Sequence, residues 1–102
     1  MTKTTIYVGL CDKDTKEQEI STLNAYKVAS NIFTSTTGGA TIYEGVGVYT
    51  HDNGDVVQEA TLICIVYGSE TETILKAADQ LKVALNQESV VIETTESNSM
   101  FY

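Results

Sequence analysis

The sequence has no proline and no tryptophan, one histidine, two cysteines, and only six basic residues against 14 acidic ones. The missing proline and tryptophan decide nothing, but the other shortages each remove a class of chemistry. The lone histidine, His51, stands in the polar run "HDNGD" and reads as a solvated turn side chain, so there is no Ser-His-Asp set and no zinc spacing. Cys11 and Cys64 form no CxxC pair and sit in apolar strand contexts. With no basic-then-apolar leader, they read as reduced core thiols rather than a disulfide. Gly38-Gly39 lacks the lysine and further glycines of a phosphate loop, and no dinucleotide fingerprint occurs. No apolar run approaches the roughly 20 residues of a membrane span, so the expectation is a soluble, cytoplasmic protein with no membrane partner. A net charge of -8 repels nucleic-acid phosphates. It describes a solvated acidic surface or, alternatively, a protein that imitates nucleic acid or attracts cations. The dispersal of the acids along the chain weakens the mimicry.

What remains suits one domain spanning residues 1–102, with 42% hydrophobic residues to build a small core. "TTIYVGL" predicts a strand over Thr4 to Leu10, with Ile6, Val8 and Leu10 on one face. Thr15 and Gln18 have capping-box spacing, which predicts a helix from about Lys16 to Phe33 with Leu23, Tyr26, Ala29 and Phe33 on one side. Strands follow over about Ala40 to Thr50 and Val56 to Tyr67. In the second, Ala60, Leu62, Cys64 and Val66 alternate with Thr61, Ile63, Ile65 and Tyr67. Asn53-Gly54 between them favours a tight type I′ reversal. Ser69 and Glu72 suggest a second capping box, opening a helix with Ile74, Ala78, Leu81 and Leu85 on its apolar face and an end near Asn86. A last strand starts at Ser89, and the chain finishes in the apolar "MFY". This β-α-β-β-α-β order predicts an α+β, ferredoxin-like domain, an antiparallel sheet with two helices on one face. The other face, carrying Tyr7, Ile63, Ile65 and Tyr67, calls for cover by oligomerisation. Domains of this plan that trimerise sheet to sheet, like the PII signalling proteins, bind ligands between subunits, an analogy of fold alone.

Without a histidine pair or a metal cluster, catalysis would rest on carboxylates, hydroxyls and backbone groups. Glu59 opens an apolar strand and shares a face with Thr61 and Ile63. Placed near an oligomer seam, its carboxylate would be partly desolvated and would bind a cation strongly; otherwise it is a strand-edge acid in water. Tyr49 lies on the partner strand, where a turn centred on Asn53-Gly54 would bring it into the same cross-strand neighbourhood. Its phenol can donate a hydrogen bond and its ring can face a cation. The alternative is ordinary sheet packing, and a bulge or longer loop is expected to put the pair on different faces.

"GVY", then Glu59 followed by "ATLICIVY", a helix, and "NQESVVIETTESNSMFY" resembles the S-adenosylmethionine lyases of phages, long called SAM hydrolases. Those enzymes show Gly-x-Tyr, a short polar loop, a Glu opening an aliphatic strand, an Ala-rich helix and an acidic turn into the last strand. The match covers about Gly45 to Tyr102; the loop is shorter by about one residue, and the family's longer C-terminal tail is absent. "GATIYEGVGVY" also resembles small uncharacterised proteins of phages and Gram-positive bacteria. The resemblance implies that the substrate's own carboxylate displaces its sulfonium, giving methylthioadenosine and homoserine lactone with no cofactor and no metal. It implies Glu59 at the substrate's cationic region, Tyr49 beside it, and adenine read by backbone groups of a neighbouring subunit in a homotrimer. In a phage, such an enzyme would act in the host cytoplasm and starve restriction-modification of S-adenosylmethionine. Two other readings stand beside it: a PII-like trimer that binds a small molecule without chemistry, and an acidic anti-defence mimic.

Overall fold

A computed structural model describes residues 1–50 and 52–102; the reading of His51 falls outside the described residues. The elements follow the expected order: β1 (Thr2–Gly9), α1 (Thr22–Thr36), β2 (Thr41–Thr50), β3 (Val56–Tyr67), α2 (Thr71–Ala84) and β4 (Val91–Glu96). They build one antiparallel sheet in the order β2-β3-β1-β4, with the ferredoxin-like βαββαβ connectivity. Period-2 alternation sorts β3 cleanly and β1 apart from Thr5, which is buried on the opposite face. Ile6, Val8 and Leu10 of the first segment, with Leu62, Cys64 and Val66 of β3, are buried on one side. There they pack with Ala25, Ala29, Ile32 and Phe33 of α1, and with Ile74, Ala77, Ala78 and Leu81 of α2.

Helix α1 begins later than Thr15 and Gln18 suggest, with Ser21 as its N-cap accepting from the Asn24 amide at 3.1 Å. The competing interaction is local. Asp12 Oδ1 accepts from the amides of Asp14 at 2.8 Å and Thr15 at 3.1 Å, closing an Asx-type turn before any helix can form. Leu23 and Tyr26 are exposed rather than core, because the buried stripe of the helix runs through Ala25, Ala29, Ile32 and Phe33. At α2 the N-cap is Glu70 and makes no side-chain cap bond, so the Ser69–Glu72 box does not form. The other end meets expectation: Asn86 takes a positive φ of 47°. The Gln87 amide bonds back to Lys82 O at 2.8 Å and the Asn86 amide to Val83 O at 3.4 Å, a Schellman-type stop.

The β2–β3 connection departs most from the sequence pattern. Thr50 pairs with Val56 and Tyr49 with Val57, so the strands are joined by residues 51–55 and not by a two-residue Asn-Gly turn. A reversal at Asn53-Gly54 would slip the register by one residue. Ile42, which sits across from Cys64 on the helix side, would then oppose Ile65 of the other face. Burial of the strand's apolar set outweighs the local turn preference. The slip would also have put Tyr49 and Glu59 on opposite faces, so the longer loop is what brings them onto one, the reverse of the expectation.

Candidate functional site

Beyond its last ladder pair, Gly9 opposite Thr61, the β1 segment continues as Leu10, whose amide donates to Ala60 O at 3.0 Å. Next comes Cys11, whose amide donates to Glu59 Oε2 at 2.9 Å. A charged acceptor makes this one of the stronger hydrogen bonds in the fold. Glu59 is half-buried on the face that the helices leave uncovered. Directly across β2 stands Gly47, and Tyr49, two residues on, pairs with Val57. The tyrosine is therefore the diagonal neighbour of Glu59 on that face. The structure thus brings together the two residues singled out in the sequence.

Around them lies an open pocket of about 450 Å³, inside the roughly 300–1,000 Å³ range of small-molecule sites. Its floor includes Gly9, Cys11 and Glu59, and Tyr49 forms one side. Lys13 and Lys16 bring positive charge to its lining, and Gln87 adds a polar group. The lysine-bearing loop is fastened to the end of α2, where Asn86 Nδ2 donates to Asp12 Oδ2 and Asp14 Oδ2 at 2.9 Å each. Bonds from Asn86 and from the Thr15 and Asp14 amides hold the Asp12 carboxyl below its ordinary range. Gln87 Nε2 donates to Cys11 O at 2.8 Å, tying the same helix end to the floor.

The electrostatics of the floor follow from one carboxylate in a partly dry place. Burial, and then the charge of Glu59, push the Tyr49 phenol above its ordinary value, so at neutral pH it is protonated and can donate. Burial also raises the Cys11 thiol, as do a hydrogen bond to Glu59 and that residue's charge, which keeps it protonated. Tyr7, on the same face, is raised first by the charge of Glu93. A second groove, of about 650 Å³, lies at the other end of the sheet beside Met1, Glu70 and Ile74. It is larger, but its Glu96 is already engaged by the N-terminal amine at 3.3 Å, and no such convergence of groups occurs there. Among the described residues, no group of three or more His, Cys, Asp or Glu side chains is placed to hold a metal ion. No described helix is long and apolar enough to cross a membrane.

Sequence reasoning missed Gly9, the Cys11 amide, Gln87 and the two lysines. Only Gly9 carried a signal, since a glycine ending an apolar strand often marks a close approach.

Fold and site together describe a ferredoxin-like domain with one bare sheet face and a carboxylate-floored pocket at its end. The chain is similar to a phage SAM lyase in complex with S-methyl-5'-thioadenosine, with a TM-score of 0.71 and 24% identity over 93% of this chain and 80% of that one. It is similar also to a phage SAM lyase in its apo state, with a TM-score of 0.67 and 22% identity over 92% of this chain and 78% of that one. The divalent ion tolerance protein CutA1 from Ehrlichia chaffeensis shares the fold more distantly, with a TM-score of 0.57 and 12% identity over 97% of this chain and 84% of that one. At these identities the likeness is one of fold. No protein-family model and no curated protein matches the chain.

Proposed function

We propose that the protein is an S-adenosylmethionine lyase. The observation that carries this reading is the half-buried Glu59 carboxylate, which floors a nucleoside-sized pocket with a protonated phenol at its side. The shared fold with phage SAM lyases supports it.

In the reaction, an oxygen of the substrate's own carboxylate attacks the γ-carbon of its methionine moiety. A C–O bond closes the lactone ring while the C–S bond breaks, and the bonding pair passes to sulfur, which leaves as a neutral thioether. The products are methylthioadenosine and homoserine lactone, and the step needs no proton from the protein. Opposite charges cancel as the reaction proceeds, so a partly dry pocket favours it. The residues then need only to fold the substrate into an attacking geometry. Glu59 holds the cationic region, the Tyr49 hydroxyl and ring lie beside it, and the pocket-lining Lys13 and Lys16 offer positive charge to the substrate's carboxylate.

The assembly proposed is a homotrimer with the site completed by a neighbour, whose backbone groups read the adenine. The bare face supports this, with Tyr43, Tyr67 and the half-buried Ile63 and Ile65. So does the β2–β3 hairpin, whose Val46, Val48 and Val56 are 61 to 67% exposed. Light scattering is expected to return about three times the 11.1 kDa chain mass; the mass of one chain would remove the shared site. In a phage-infected cell, the activity would deplete the cofactor of host restriction-modification.

The deciding experiment is incubation with S-adenosylmethionine and chromatography for methylthioadenosine, with and without a chelator. The expected result is turnover that the chelator leaves unchanged. Glu59→Gln keeps the shape and removes the charge, a desolvated contact worth about 2–4 kcal/mol, so its rate should fall by about 30- to 1000-fold. Absence of product from the parent would overturn the lyase reading. Binding without turnover would then favour a ligand-binding trimer.

A further inference from the structure

Glu59 is fixed by its surroundings in a way that no catalytic reading of the residue by itself requires. Its Oε2 accepts the Cys11 amide at 2.9 Å, and the Cys11 carbonyl is held by Gln87 at 2.8 Å. Beneath the carboxylate lies Gly9. A Cβ at that position would stand 2.5 Å from Oε1, 2.6 Å from Cδ and 2.8 Å from Oε2, so the carboxylate fills the volume a side chain would occupy. Backbone conformation does not call for this glycine, because Gly9 is absent from the residues of positive φ. A glycine inside a strand is also less stable than alanine there.

The other glycines of the bare face behave differently. A Cβ at Gly45 would meet the tip of Ile63 at 2.9 Å. At Gly47, directly across from Glu59, it would meet Thr61 Oγ1 at 3.2 Å and, of Glu59, only the backbone oxygen at 3.7 Å. Of these three glycines, Gly9 alone is fitted to a carboxylate.

We propose that Gly9 and the Cys11 amide are positioning residues for Glu59. The missing side chain makes the seat, and the amide fixes the rotation of the carboxylate about its last bond. With Oε2 committed to the backbone, Oε1 meets the cationic group of a ligand. The proposal rests on the lyase reading for its catalytic consequence, while the geometry it asserts can be read without any substrate.

The geometry is tested by the Cys11 amide resonance of the full chain in an ¹⁵N-correlated NMR spectrum without ligand. Glu59→Gln removes the charged acceptor and leaves Gly9 untouched, so the Cys11 amide proton should move upfield in that variant. The same should follow in Gly9→Ala, where the added methyl displaces the carboxylate. An unmoved Cys11 amide in Glu59→Gln would overturn the proposal, even if Gly9→Ala fails to fold.

The catalytic consequence is tested by rates. Gly9→Ala should lower kcat/KM for S-adenosylmethionine by on the order of 10- to 100-fold. In a Glu59→Gln background, the same change should cost no more than about twofold, because the group it displaces no longer carries charge. Gly9→Ala combined with Glu59→Asp, whose shorter side chain withdraws from the new methyl, should exceed the product of the two single effects. Losses that simply multiply would show a general structural role and overturn the positioning role. If the amide shifts as expected but the parent makes no methylthioadenosine, the seat stands and the lyase reading falls.

Discussion

The two faces of β3 carry opposite kinds of side chain. On the helix side, Leu62, Cys64 and Val66 are 1%, 0% and 4% exposed and pack on Ile6, Val8 and Leu10. On the other side, one residue out of phase, stand Glu59, Thr61, Ile63, Ile65 and Tyr67, with glycines and tyrosines of the neighbouring strands around them. The first face is uniform, aliphatic and filled. The second mixes glycines, hydroxyls and two isoleucines with the acids Glu59 and Glu93, a composition that leaves room for a ligand beside Glu59. Stability and site are therefore coded in the same twelve residues of β3, separated only by pleat.

Substitutions on each face should break this contrast in opposite ways. Leu62→Ala should have the largest effect, costing about 2–5 kcal/mol of stability through lost transfer energy and a cavity. For a domain of this size the melting temperature should fall by about 10–30 °C, measured by circular dichroism. The two cysteines offer a second contrast. Burial pushes the Cys64 thiol from 9.0 up to about 12. The folded state thus favours the protonated form more than the unfolded state does. The stability gained is fully present below about pH 9, is lost as pH rises toward about 12, and is on the order of 4 kcal/mol. Denaturant titrations of the parent should show this alkaline loss, and Cys64→Ala should flatten it.

On the bare face, Ile63→Lys should lower the melting temperature only by what the lost subunit contacts contributed, leaving a folded single chain by circular dichroism. It should reduce the mass seen by light scattering to that of one chain and abolish turnover with it. Tyr49→Phe should have the smallest effect, since it removes one hydroxyl and keeps the ring. A loss below about tenfold in kcat/KM, with unchanged stability, is the expected outcome. A larger loss than that of Glu59→Gln would make the phenol, and not the carboxylate, the principal contact.

Element order and type were legible because strong periodicities agree with the core: Ile6, Val8 and Leu10 in and just beyond β1, and Ile74, Ala78, Leu81 and Leu85 in and just beyond α2, are all buried as their spacing predicts. The start of α1 was not, because Asp12 offers its carboxylate to two nearby amides and outcompetes a capping box of the right spacing. Nor was the hairpin register, since Asn53-Gly54 is a local preference, while the pairing of Ile42 with Cys64 is set by helices distant in sequence. Glu59 and Tyr49 were visible as residue types in suggestive places. Their seat was not, because a backbone amide has no letter in a sequence, and the bond from Cys11 to Glu59 spans 48 positions.

One consequence of that bond concerns time. Leu10, immediately before Cys11, is 1% exposed and its amide is bonded into the sheet, so the donor that holds Glu59 sits next to the interior of the domain. Amide hydrogen exchange at Cys11 should then proceed through near-global opening, at a rate close to that of the slowest core amides, and not through a loop fluctuation. Sub-denaturing conditions that loosen the lysine-bearing loop would leave this amide protected. The seat of the acid and the fold would be lost in a single step.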